Sequence, residues 1–144
     1  MKYQVGDVGR CIVARFEDGD SILDKLVEIA RKEDIRAAIV YLIGGITEAT
    51  IVVGPDKEDL PPNPVWRTLT ESHEAAAIGT IFWEGNEPKI HVHGSYGKRD
   101  MVKVGCLRDK ANTFLVLEAI ILEITGVKAV RELDPKSNMV LLKL

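Results

Sequence analysis

Residues 75–96 read AAAIGTIFWEGNEPKIHVHGSY, two strand-like segments, Ala75 to Trp83 and Lys89 to Tyr96, on either side of a turn at Gly85-Asn86. The same pattern continues outward. Val65 to Thr70, Thr113 to Thr125 and Met139 to Leu144 are also of strand composition, with a further turn at Asp134-Pro135. The run Phe114 to Ile124 is continuously apolar, which a buried helix and a buried strand share, and its β-branched content favours the strand. Toward the N-terminus, Cys11 to Phe16 reads as a strand and Glu17-Asp18-Gly19-Asp20 as a turn. An amphipathic helix over about residues 21–33 follows, with Ser21 as its cap, Asp24 near its positive end, and Ile22, Leu23, Leu26, Val27, Ile29 and Ala30 on one broad face. Ala37 to Ile43 and Thr47 to Val53, each closed by a glycine-containing pair, are predicted to be neighbouring strands. Four prolines between Gly54 and Pro64 oppose both helix and ladder pairing, so an exposed loop is expected there. Many strands and one main helix predict an α+β fold. Its sheet is antiparallel or mixed, strongly curved or partly closed, with the helix flanking it.

At 144 residues the chain has the length of one domain, 1–144, with enough apolar material for a core of its own. Its net charge of -3 leaves no excess of cations to neutralise a phosphate backbone, which argues against nonspecific nucleic-acid binding. The densest basic stretch, Lys98, Arg99, Lys103, Arg108 and Lys110, is interrupted by Asp100 and Asp109 and reads as a solvated loop face. No stretch of 18 apolar residues and no apolar leader core is present, so no membrane span is expected and the location is read as cytoplasmic. Cys11 and Cys106 are too few for a disulfide framework, and each is either a core thiol or a ligand.

The candidate chemistry centres on His91-Val92-His93. Alternate residues of a strand share a face and lie about 6–7 Å apart along the chain, a spacing two imidazoles can close on one ion. Gly94 beside them leaves room for a close approach. Cys106 is the candidate third ligand, since thiolate and imidazole together suit zinc or a similar divalent metal, and Gly105 before it permits an unusual backbone angle. Its other reading is a small buried hydrophobe. Glu74, just before the small-residue strand, is a candidate general base or a support for a ligand, or else an ordinary surface carboxylate. Glu118 stands alone among apolar residues and calls for a partner at an oligomer contact or in the metal pocket. No Gly-x-Gly-x-x-Gly, phosphate-binding loop or nucleophile elbow occurs, which sets nucleotide cofactors and serine hydrolysis aside.

Taken in order, these signals resemble the plant-and-prokaryote-conserved (PPC) domain family in its free-standing prokaryotic form, without an AT-hook. The resemblance rests on Arg15-Phe16-Glu17-Asp18-Gly19-Asp20 before the helix, Ile43-Gly44-Gly45, Glu74 through Gly79, Pro88 with His91-Val92-His93, and Val104-Gly105-Cys106-Leu107. It spans nearly the whole chain. In the last segment prokaryotic members read Gly-Gly-His-Leu, so the family's third metal histidine is Cys106 here and its first glycine is Val104. Either a His2Cys zinc site or a site without metal follows, and the competence of cysteine as a ligand favours the first. The resemblance further implies a homotrimer with a subunit similar to that of acetolactate decarboxylase, a zinc enzyme. It supplies no reaction. The expected function is therefore a homotrimeric metal-binding protein that binds or acts on a small molecule. The alternative is a trimeric DNA-associated or regulatory module that mainly mediates assembly.

Overall fold

The computed structural model describes every residue from Met1 to Leu144. Its elements in chain order are β1 (Asp7–Glu17), α1 (Ile22–Lys32), β2 (Ala37–Thr47), β3 (Ala49–Pro55), β4 (Pro64–Leu69), β5 (His73–Glu84), β6 (Glu87–Lys98), β7 (Met101–Arg108), β8 (Asn112–Thr125), β9 (Val130–Asp134) and β10 (Met139–Lys143). Eight strands form one sheet in the order β1-β8-β2-β5-β6-β7-β3-β4, antiparallel throughout, and β9 and β10 pair as a separate hairpin. The sheet is open: β1 and β4 are its edges, so the expected partial closure does not occur.

Side-chain alternation gives this sheet two unlike faces. Along β2, Val40 and Leu42 are buried while Tyr41 and Ile43 are exposed. The inward residues, among them Val40, Ile81, Val92, Leu117 and Ile121, form the core together with Ile22, Leu26 and Ala30 of the helix. Those three helical positions, four apart, lie on one stripe, and each is completely buried. Asp24 in the first turn and Arg31 and Lys32 in the last complement the helix dipole. Ser21 stands at the cap position as expected, but its side chain makes no capping bond; the Ile22 amide instead donates to the Ala111 carbonyl at 2.8 Å, which ties the helix start to the sheet. The helix ends where Asp34 enters the left-handed region (φ 49) and the Ile35 amide donates back to the Ala30 carbonyl at 2.9 Å.

Two expectations need correction. β2 and β3 are not neighbours: β2 lies between β8 and β5, while β3 pairs with β4 and β7. Two short strands, β7 and β9, were not foreseen from composition. The proline-rich excursion is an exposed loop, as expected, and it closes a β3–β4 hairpin with Pro55 and Pro64 as its last pair. No helix is long and apolar enough to cross a membrane.

Candidate metal centre

The register of the sheet aligns one residue from every strand in a single transverse row. Reading from edge to edge it is Val13, Ile120, Tyr41, Ile78, His93, Cys106, Val52 and Trp66. All belong to the face opposite the helix. The first four positions are apolar. The next two bring an imidazole and a thiol face to face across the β6–β7 ladder.

His91 lies on the same face of β6, two residues before His93, paired with Thr80 of β5. The two rings meet edge to face with centroids 4.8 Å apart, and their Nε2 atoms are separated by 3.0 Å. Donor atoms of His91, His93 and Cys106 all lie within 4.8 Å of one another. Tetrahedral bonds of about 2.0–2.1 Å to nitrogen and 2.3 Å to sulfur require separations of this order, so the three residues fit a zinc-type ion. Bound to such an ion, the three would supply three of its four ligands, and water or a ligand would supply the fourth.

The surroundings set the protonation states. Burial, followed by the charges of His93, Arg131 and Arg108, lowers the pKa of His91 to about 4, so its ring is neutral at physiological pH, as a ligand must be. Burial raises the pKa of the Cys106 thiol, and the nearby charges of Arg108 and Arg131 oppose that shift. Arg131, a residue only 9% exposed, donates through its guanidinium to Thr80 Oγ1 at 3.2 Å and reaches His91 Nδ1 at 3.4 Å. Arginine can only donate, so Nδ1 accepts and the hydrogen of the His91 ring resides on Nε2, facing His93.

The two glycines serve packing rather than the site. A Cβ at Gly94 would lie 2.8 Å from the Tyr96 hydroxyl, because the Tyr96 ring fills the expected space on the inner face. A Cβ at Gly105 would meet the Val52 carbonyl oxygen at 2.7 Å, so this glycine lets β3 and β7 approach and has no unusual backbone angle. Cys106 sits within β7.

Glu74 is not brought to the site. It shares the outer face but lies four residues along β5 from Ile78, the partner of His93, or about 13 Å at the rise of a strand. Glu118 is exposed and paired in register with Ile43 and Arg15, away from the histidines. Within one chain neither carboxylate serves the centre.

Sequence reasoning missed the cavity that adjoins the three donors. About 760 Å³ in volume, it is lined by His91, His93 and Cys106, by Trp66 and the loop prolines, by Arg108, and by Ser137, Asn138 and Met139 at the β9–β10 turn. Arg108 follows Cys106 by two residues on β7, so strand alternation gives it the same face. Of the other basic residues of its stretch, Lys98 and Lys103 lie in β6 and β7 rather than on a loop; Lys98 pairs with Glu71, and Lys110 with Glu48 at 2.5 Å.

Comparison with solved structures places this arrangement among known folds. A metal-containing protein from Archaeoglobus fulgidus superposes with a TM-score of 0.87 at 23% identity, with both chains covered completely. A plant- and prokaryote-conserved protein from Pyrococcus horikoshii matches with a TM-score of 0.85 at 25% identity over 100% of this chain and 99% of that one. A candidate DNA-binding protein from Ralstonia eutropha matches with a TM-score of 0.76 at 24% identity over 92% and 90% of the two chains. Comparison with curated proteins finds no match. Residues 3–125 match the Plants and Prokaryotes Conserved (PCC) domain, from the first residues through the whole of β8. This chain belongs to that family.

Proposed function

We propose that this chain is a metal-binding protein that holds a zinc-type divalent ion at His91, His93 and Cys106 and binds or acts on a small molecule in the adjoining cavity. One observation carries the reading: two strands neighbouring in the sheet bring two imidazoles and a thiol within 4.8 Å of one another on the wall of a cavity large enough for a ligand. The A. fulgidus protein of the same fold, described as metal-containing, adds support. A divalent ion bound there would supply Lewis acidity toward an oxygen of the ligand or toward water. The chain itself contributes a neutral imidazole at His91, a dry thiol at Cys106 and apolar walls that limit water.

The homotrimer expected from the family resemblance would cover the outer face of the sheet. Tyr41, Ile43, Ile78 and Val104 are between 40% and 60% exposed there in a single chain, an apolar patch that a second copy would bury. His93 borders that patch, which couples assembly to the site. A cytoplasmic setting suits the two free cysteines. The DNA-associated alternative draws on the description of the R. eutropha protein, and the charge of -3 opposes it.

Elemental analysis of protein purified without added metal, on the parent chain and on His91→Ala and Cys106→Ser, tests the metal reading. Stoichiometric zinc in the parent, lost in both variants, is the expected result. Metal retained by both variants would overturn it.

A further inference from the structure

We propose that the cavity beside the three donors accepts a small carboxylate whose body is apolar and planar, its anionic end held by Arg108 and its body against Trp66 and the loop prolines. The inference rests on the metal reading for one of its anchors and extends it to the chemistry of the ligand.

Charge comes first. Arg108 is the one charged side chain that lines the cavity, and none of the chain's 22 aspartates and glutamates does. Neither Arg108 nor Arg131 has a carboxylate within salt-bridge reach, a state they share with Arg67 and Arg99, but of these four only Arg108 lines the cavity and only Arg131 reaches a donor residue. Arg108 lies two residues from Cys106 on the same face of β7 and lines the cavity with the three donors, and the Arg131 guanidinium reaches His91 Nδ1 at 3.4 Å. Even with Cys106 as a thiolate, a divalent ion and two guanidinium groups leave the region strongly positive. An anion entering it recovers, through a charge-assisted bond to arginine, the hydration it loses. A neutral molecule of the same shape has no such compensation.

Shape comes next. The rest of the lining includes Trp66 on β4, two strands from Arg108 on the same sheet face, and Pro55, Pro61, Pro62 and Pro64 around the β3–β4 loop. These are rigid, flat surfaces that present few hydrogen-bonding groups. Trp66 is 47% exposed and available for stacking. A flat apolar body with one carboxylate satisfies both ends of the cavity.

Benzoate and benzamide, equal in shape and different in charge, are the probes. Their affinities are measured by calorimetry on the parent protein, Arg108→Gln, Arg108→Lys and Trp66→Ala, with zinc content and melting temperature recorded for each. Benzoate is expected to bind the parent at least about tenfold more tightly than benzamide, by the energy of a charge-assisted hydrogen bond. Arg108→Gln removes that preference while zinc is kept, Arg108→Lys retains part of it, and Trp66→Ala weakens both probes alike. Equal affinity for the two probes, or no effect of Arg108→Gln in a folded protein, would overturn the proposal. Repeating the measurement after chelation separates it from the metal reading. A preference for benzoate that depends on Arg108 in protein shown to bind no zinc upholds the anion site alone. Stoichiometric zinc without a benzoate preference upholds the metal alone and refutes the anion site.

Discussion

His93 and Cys106 are register partners across β6 and β7, so their side chains leave neighbouring strands on the same face with their Cα atoms directly opposed. Backbone hydrogen bonding, rather than a flexible loop, fixes the distance between the imidazole and the thiol. Replacing Cys106 by His restores the donor that the family resemblance leads one to expect. Cys106→His is therefore predicted to retain metal. Cobalt-substituted parent protein should show a sulfur-to-metal charge-transfer band in the near ultraviolet, and the variant should lack it.

Metal loading should release protons. The raised pKa of the Cys106 thiol keeps it protonated near neutral pH, while His91, with a pKa of about 4, is already neutral. An ion must displace the thiol proton, so apparent affinity should rise about tenfold per pH unit between pH 7 and the thiol's pKa. Calorimetry at about pH 8, in buffers of different ionisation enthalpy, should report about one proton released per ion.

Arg131 would work against a metal bound beside it. Coordination through Nε2 of His91 would move the ring hydrogen to Nδ1, where it would face a guanidinium 3.4 Å away instead of the usual acceptor. Arg131→Gln, which offers an acceptor oxygen, is predicted to tighten zinc binding by a factor approaching the roughly tenfold worth of such an outer partner. Competition against a chelator of known affinity measures it, and weaker binding in the variant would contradict the assignment.

Assembly can be separated from folding. Ile78 is 56% exposed in the single chain, so Ile78→Asp should cost the monomer little, within about 0.5 kcal/mol. In a trimer it would bury an unpaired charge in each copy. Sedimentation velocity should show the parent as a trimer and Ile78→Asp as a monomer. Leu26→Ala on α1, fully buried in the core, should have the opposite profile, costing about 2–5 kcal/mol of stability while leaving the trimer and the metal in place.

Duplex DNA should not bind. With a net charge of -3, the purified protein is expected to leave a labelled duplex unshifted even at low salt. A shift that weakened steeply with added salt would favour the DNA-associated alternative.

The sequence displayed the strands best where alternation was clean and long. Residues 75–96 revealed a hairpin because Gly85-Asn86 separates two extended runs, and the structure pairs Glu84 with Glu87 across it. His91 and His93 followed from the same period of two. What could not be read was strand order, which depends on contacts distant in sequence: nothing local in Ala37 to Val53 shows that β3 departs to the far side of the sheet from β2. β7 escaped notice because Lys103, Gly105 and Arg108 dilute its apolar signal. Reading Met101 to Arg108 as a strand would have put Val104, Cys106 and Arg108 on one face and exposed the cationic wall of the cavity. Glu74 shows the converse error, since a carboxylate directly before a small-residue run carries no information about a site about 13 Å along the strand.

The β9–β10 hairpin lies beyond the stretch that matches the family, yet its Arg131 touches His91 and its turn residues Ser137, Asn138 and Met139 face the cavity. Substitutions confined to this hairpin would therefore alter the surroundings of the three donors and one end of the cavity while the eight-stranded platform stays untouched.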